Sequence, residues 1–297
     1  MAADSVVFLM YHAVVEDVQS LEASYTIRPE HFEAQMRYLA ESGYETRTVT
    51  EVIAAWERGQ RIPDKTAVIT FDDGFSCLHD TALPIMRRYG MRATVYVISG
   101  YLDRMARYDT SLGIRARPML ARSQVRELAD EGIEIGSHSV NHFELHTLNP
   151  RGLQYELLRS RCELEDLTAR PVTSFAFPRG RFDSAVYAAV RQSGYTSACT
   201  TIPGKNSAES DRFSLRRAQI GMQTDLAAFG TLLRHGASPL QLLRTNARRR
   251  LIDWVAAMRG ADPMNLYQSP LSRVLRGAVG PKRPVGGPRA SVTSELS

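Results

Sequence analysis

Along the first 220 residues, short apolar runs rich in β-branched and aromatic side chains alternate with stretches of helical periodicity, and this alternation restricts the fold more than any other feature. The runs fall at residues 6–11, 67–71, 93–98, 133–136, 172–177, 195–199 and 215–220. Largely apolar rather than strictly alternating, they read as strands covered on both faces, the condition of a parallel sheet flanked by helices. Between the first two, Phe32, Met36 and Leu39 recur at i, i+4 and i+7 and Gly43 follows as a stop, which predicts an amphipathic helix. Ser123 is placed to cap a helix carrying Val125 and Leu128 and ending at Gly132. Leu153, Leu157, Leu164 and Leu167 mark a longer helix that Pro171 prevents from continuing, and Asp183 opens another. Seven or eight such units predict an α/β chain wound into a distorted (β/α)7-type barrel.

Two regions break the rhythm. Residues 100–120 are Arg-rich and poor in strand signals, so a long loop at one barrel rim is expected there. From about residue 237 the pattern changes to helical stretches carrying Arg248, Arg249 and Arg250, and from Pro270 onward to Pro, Gly, Ser and Arg. The expected organisation is a barrel domain over 1–236, a helical extension over 237–269 and a disordered basic tail over 270–297.

Charge narrows the partners. The net charge is +5, but residues 240–297 hold ten Arg or Lys against three acids, leaving 27 basic against 29 acidic residues in the barrel domain and its immediate border. No nucleic-acid partner is expected for a body this close to neutrality, whereas the basic tail offers a peripheral contact with an anionic membrane. Cys77, Cys162 and Cys199 are odd in number and far apart, which argues against a disulfide framework or a thiolate metal site. No apolar run approaches a membrane span, and an acid stands near the start where a signal peptide needs cations; a cytoplasmic location is expected.

The chemistry-bearing residues lie where the strands end. Thr70-Phe71-Asp72-Asp73-Gly74 closes one run with adjacent carboxylates, which repel unless a cation lies between them, although a turn with a capping Asp is the plainer reading of that triplet alone. Gly136-Ser137-His138-Ser139-Val140-Asn141-His142 follows another run, and imidazoles at i and i+4 share a face wherever the intervening chain takes a helical turn. One carboxylate and two imidazoles suit zinc or another first-row divalent metal; His146, one turn on, is expected outside that shell. Phe175 to Phe182 brings Phe177, Pro178 and Arg179 into a tight turn fit to offer backbone N–H groups and an aromatic wall to a substrate. His12 ends the first run, where a lone histidine is more often structural. Convergence tips the balance, because barrel enzymes assemble their sites at the carboxyl ends of their strands.

Taken together, these residues resemble the polysaccharide deacetylases of carbohydrate esterase family four, over roughly residues 5–220. Thr70 to Gly74 is similar to the first family motif, His138 to His142 to the second, and Phe175 to Gly180 to a variant third motif. Met10-Tyr11-His12 is similar to the opening of the branch that includes poly-N-acetylglucosamine deacetylases. The resemblance implies that Asp73, His138 and His142 bind a divalent metal, commonly zinc, with Asp72 as general base and His12 as general acid in releasing acetate from an N-acetylated glycan. It also implies an arginine that orients the catalytic Asp, for which Arg179, Arg181 and Arg217 are candidates; Arg217 is also placed among the substrate-binding residues. Hydrolysis of a non-sugar amide or imide C–N bond, or glycan binding without catalysis, remain the alternative readings.

Overall fold

The structure, a computed structural model, describes residues 5–106, 115–238 and 241. Seven of the parallel strands among the described residues line the barrel: β1 (Val6–Tyr11), β2 (Thr66–Phe71), β3 (Ala93–Val97), β4 (Glu134–Ser137), β5 (Ser174–Ala176), β6 (Ser197–Cys199) and β7 (Ala218–Gln219). Each of the first five pairs with its successor, and β7 returns to pair with β1 through Leu9–Ala218 and Met10–Gln219. On its other side the same segment meets β6 through a parallel bridge between Cys199 and Leu215. Residues 215–219 therefore span the gap between the two edges of a curled sheet, giving the distorted seven-unit barrel expected from the alternation of runs.

Period-two alternation divides the side chains of this sheet into two populations. Val7, Leu9 and Tyr11 of β1 and Ala67, Ile69 and Phe71 of β2 pack outward in the large cluster beneath the helices, with Phe32, Met36 and Leu39 of α1 (Pro29–Glu41). Val6, Phe8, Val68, Tyr96, Ala176, Cys199 and Leu215 form a smaller interior cluster. That cluster is completed by Val49, Val52, Ile53 and Ala55 of α2 (Val49–Glu57), a helix that the periodicity argument did not single out and that plugs the amino end of the barrel. Thr48 caps it, accepting from the Glu51 N–H while the Glu51 side chain accepts from the Thr48 N–H.

The remaining helices are α3 (Leu83–Arg88), α4 (Arg122–Asp130), α5 (Pro150–Thr168), α6 (Ser184–Gln192) and α7 (Leu226–His235). Asp183 caps α6 as expected, its side chain accepting from the Val186 N–H. Ser123 does not cap α4: the helix starts one residue before it, with Ala121 at the cap position and the Gln124 side chain accepting the Ala121 N–H. The described ends of the 100–120 segment are not plain loop, since Met105–Ala106 pairs antiparallel with Arg117–Pro118. The expected helical extension beyond 241 and the basic tail lie outside the described residues. Among the described residues, no helix is long and apolar enough to cross a membrane.

Candidate active site

The alternation that builds the core also aims the site. Continuing the inward positions of β1, β2 and β4 by one step past the strand ends brings His12, Asp72 and His138 to the interior side of the barrel mouth. Each strand end is held by its neighbour: the Asp72 N–H donates to the Tyr11 carbonyl at 3.0 Å and the His138 N–H to the Val97 carbonyl at 2.9 Å. By the same alternation Asp73 would point outward. It does not, because its backbone is left-handed (φ 72°) and the following Gly74 continues the turn (φ 82°), with the Gly74 N–H donating back to the Asp72 carbonyl. A non-Gly residue in this region carries strain, which the surrounding pairing overcomes.

The result is a tight donor set. Asp73 Oδ1 lies 3.6 Å from His138 Nε2 and 3.6 Å from His142 Nε2, and one ligand atom from each of the three buried residues falls within 4.8 Å of the others. His138 donates from Nδ1 to the Ala176 carbonyl at 2.8 Å, which fixes the tautomer and leaves the Nε2 lone pair facing Asp73. Burial pushes the pKa of His138 down and that of His142 well down, the latter reinforced by His138 and Arg179, so both imidazoles favour the neutral form that ligates metal. Acidic and imidazole donors within such reach fit a divalent cation.

The helical turn expected between the two imidazoles is absent. Residues 138–142 form a loop in which Ser139 (φ 67°) and His142 (φ 58°) are both left-handed. Ser139 Oγ accepts from the His142 N–H at 3.0 Å, tying the loop to itself. This arrangement swings His142 back over His138, ring centroids 5.0 Å apart, without a helix.

Asp72 is gripped from below by Arg217. Nη1 donates to Oδ1 at 2.6 Å and Nη2 to Oδ2 at 2.7 Å, while Nε donates to the Thr200 carbonyl and Nη1 also to Thr70 Oγ1. Burial alone would raise the carboxyl pKa, but the guanidinium overrides it and holds Asp72 well below the usual carboxylate range. Arg217 is fully buried, so it pins the carboxylate and is not placed to contact substrate. Arg179 is exposed, in a left-handed conformation (φ 57°), and Arg181 pairs with Glu144. His146 also leans on Glu144, at 3.7 Å, rather than joining the three-residue cluster.

Phe177 is likewise not a wall of the site. It belongs to the outward set of β5, is fully buried, and stacks on Phe182 with centroids 4.3 Å apart. Pro178 is buried in the turn that follows. A residue the motif reasoning passed over takes the aromatic position: Tyr25, 46% exposed, packs edge-on against His12 with centroids 5.3 Å apart. No local pattern marks Tyr25, since it stands in the segment between β1 and α1. The His12 ring is partly accessible, and desolvation by the surrounding protein pushes its pKa down to about 4, opposed in part by the nearby Asp72.

Several known proteins are similar to this chain in sequence or in fold. The profile described as polysaccharide deacetylase matches residues 59–198. YxkH of Bacillus subtilis (strain 168), a protein itself assigned to the polysaccharide deacetylases only provisionally, is 30% identical over 225 residues, covering 76% of this chain and 75% of that protein. The poly-β-1,6-N-acetyl-D-glucosamine N-deacetylase of Escherichia coli (strain K12) is 26% identical over 131 residues, 43% of this chain but only 20% of that protein. Among solved structures, the Streptococcus pyogenes deacetylase PplD in complex with acetate superposes with a TM-score of 0.67 at 25% identity, covering 78% of this chain and 99% of the other.

Proposed function

Because the chain belongs to the polysaccharide deacetylase family, we propose that it is a metal-dependent hydrolase that removes N-acetyl groups from an amino sugar in a glycan and releases acetate. The observation that carries the reading is the meeting of Asp73, His138 and His142 within ligand distance of one another beside a carboxylate, Asp72, locked by Arg217. Asp73, His138 and His142 are the residues that would hold the cation, and their mixed oxygen and nitrogen donors suit zinc. When bound, such a cation polarises the amide carbonyl and acidifies water, which suits an active-site carboxylate of low basicity.

The chain's own groups then divide the proton work. Asp72 is the general base: its pairing with Arg217 keeps it ionised at neutral pH and fixes its direction, so it receives the proton of the attacking water without reorganising. His12 is the general acid. It is neutral at rest; as negative charge develops beside it, its partly accessible ring takes a proton from solvent and delivers it to the departing nitrogen, and the proton received by Asp72 returns to solvent when the acetate leaves. The C–N bond breaks as the amine leaves protonated, and the water oxygen remains on the acetate. The open face beside Tyr25 and Arg179 is the approach for the sugar, with an aromatic ring and a cation suited to a polar, ring-shaped substrate.

The similarity to an enzyme named for poly-β-1,6-N-acetyl-D-glucosamine supports an N-acetylglucosamine oligomer as the first substrate to test. Metal-loaded protein incubated with such oligomers is expected to release acetate. Asp72→Asn should retain metal and lose turnover, His12→Ala should lose turnover with metal retained, and His138→Ala should lose the metal by elemental analysis. Full activity in Asp72→Asn removes the assigned base, and stoichiometric metal in His138→Ala removes the site.

A further inference from the structure

On the buried face of α5, where Leu153, Leu157, Leu164 and Leu167 supply the core, one position in the stripe is a carboxylate: Glu156, 2% exposed. A buried carboxylate on an apolar helix face is costly unless its oxygens are fully hydrogen-bonded. They are bonded to the loop that carries His142. Glu156 Oε2 accepts from the Val140 N–H and the Asn141 N–H, both at 2.9 Å, and Oε1 accepts from Asn141 Nδ2 at 2.7 Å. Three N–H donors converge on one acceptor-only group, and all three come from the two residues immediately before His142.

The opposite side of the loop is held by β3's continuation. The Ser99 N–H donates to the Ser139 carbonyl at 3.2 Å and the Gly100 N–H to the Val140 carbonyl at 3.0 Å. Gly100 is obligatory there, because a Cβ would sit 2.6 Å from the Val140 carbonyl oxygen. Ser99 in turn donates from Oγ to Glu163, also on α5. The loop's carbonyls are thus clamped by residues 99–100 and its N–H groups by Glu156, and between the clamps Ser139 and His142 keep their left-handed backbones.

We propose that Glu156 is a positioning residue for the metal site: by holding the N–H groups of Val140 and Asn141 it keeps the strained loop in the one conformation that returns His142 Nε2 to Asp73 and His138. This inference rests on the assignment of Asp73, His138 and His142 as metal ligands. Glu156 touches neither substrate nor cation. Its effect is on how much of the protein has the third ligand in place before metal arrives, and partners of this kind change metal affinity by about 10–100-fold when lost.

The test is equilibrium binding of Zn2+ to chelator-stripped full-length protein, read by competition with a chromophoric chelator, together with the visible spectrum of the Co2+ form. Neither readout depends on turnover. Glu156→Gln keeps the side-chain volume but presents an amide N–H2 to N–H donors. It is expected to weaken Zn2+ binding by about 10-fold or more and to alter the Co2+ spectrum, while the metal-free variant keeps its wild-type far-UV circular dichroism. Asn141→Ala, at a part-exposed position, removes one of the three bonds and is expected to weaken binding to a smaller degree; it carries the test if Glu156→Gln fails to fold. His142→Ala is run in parallel. If His142→Ala loses the metal while the Glu156 variant, or Asn141→Ala in its place, binds within about twofold of wild type, the positioning role is overturned and the metal site stands. If His142→Ala itself binds Zn2+ as tightly as wild type, the metal assignment falls and this inference with it.

Discussion

Replacing Arg217 by methionine isolates the consequence of the pair beneath the barrel mouth. Arg217 is fully buried, makes four side-chain hydrogen bonds, two of them to Asp72, and lies 5.5 Å from the centroid of the Tyr96 ring. Methionine fills most of the volume but leaves Asp72, itself 3% exposed, without a counter-charge. Removing one partner of a buried ion pair costs about 3–5 kcal/mol, chiefly because the remaining charge is stranded. In a domain of this size each kcal/mol lowers Tm by about 2–4 °C, so a fall on the order of 10 °C is expected by calorimetry on chelator-treated protein. Adding Asp72→Asn removes the stranded charge, and the double variant is expected to regain about 1–3 kcal/mol over Arg217→Met in urea unfolding. A double variant no more stable than Arg217→Met refutes the reasoning, since the cost would then come from lost packing and not from an uncompensated carboxylate.

Two further outcomes follow from the geometry. A Cβ on Gly136 would lie 2.6 Å from the Tyr96 ring and 3.1 Å from the Ser174 carbonyl oxygen, so Gly136→Ala is expected to destabilise by about 1–3 kcal/mol in denaturant unfolding; a neutral effect would mean the barrel interior yields there. His79 is held between Asp80 and Glu127, each 2.9 Å away; burial alone would lower its pKa, but the two carboxylates raise it above the usual value of 6.5. Because the folded-state pKa is raised, this contribution to stability is present in full below about pH 6.5 and is lost as pH rises through the folded value. The melting deficit of His79→Gln should therefore shrink between about pH 6 and pH 9, and a deficit that grows over that range contradicts the sign.

Much of the plan was legible in the chain because strand alternation is a local property. The seven apolar runs mark β1 to β7, and the period of two already sends His12, Asp72 and His138 to one side and Phe177 to the other, a consequence that the motif-level expectation for Phe177 overlooked. Helix α2, which the periodicity argument did not single out, has its local signal in the Thr48 and Glu51 capping pair, though its apolar residues do not announce that they plug a barrel. Glu156 shows in the sequence as a carboxylate within a leucine stripe, a conflict that signals a partner without naming it.

What only the tertiary structure decided is which groups meet. Asp73 joins the imidazoles through a left-handed residue that alternation forbids, and His142 returns through a loop rather than the expected helical turn; both conformations are held by neighbours distant in the chain. Arg217 was one of three arginine candidates, and sequence spacing has no means of picking out a side chain 145 residues from its partner. Closure of the sheet ranks them: residues 215–219 slot between β6 and β1, so the inward guanidinium arrives under Asp72. Local patterning fixes which face a side chain takes, and the ring-shaped topology fixes what waits on that face.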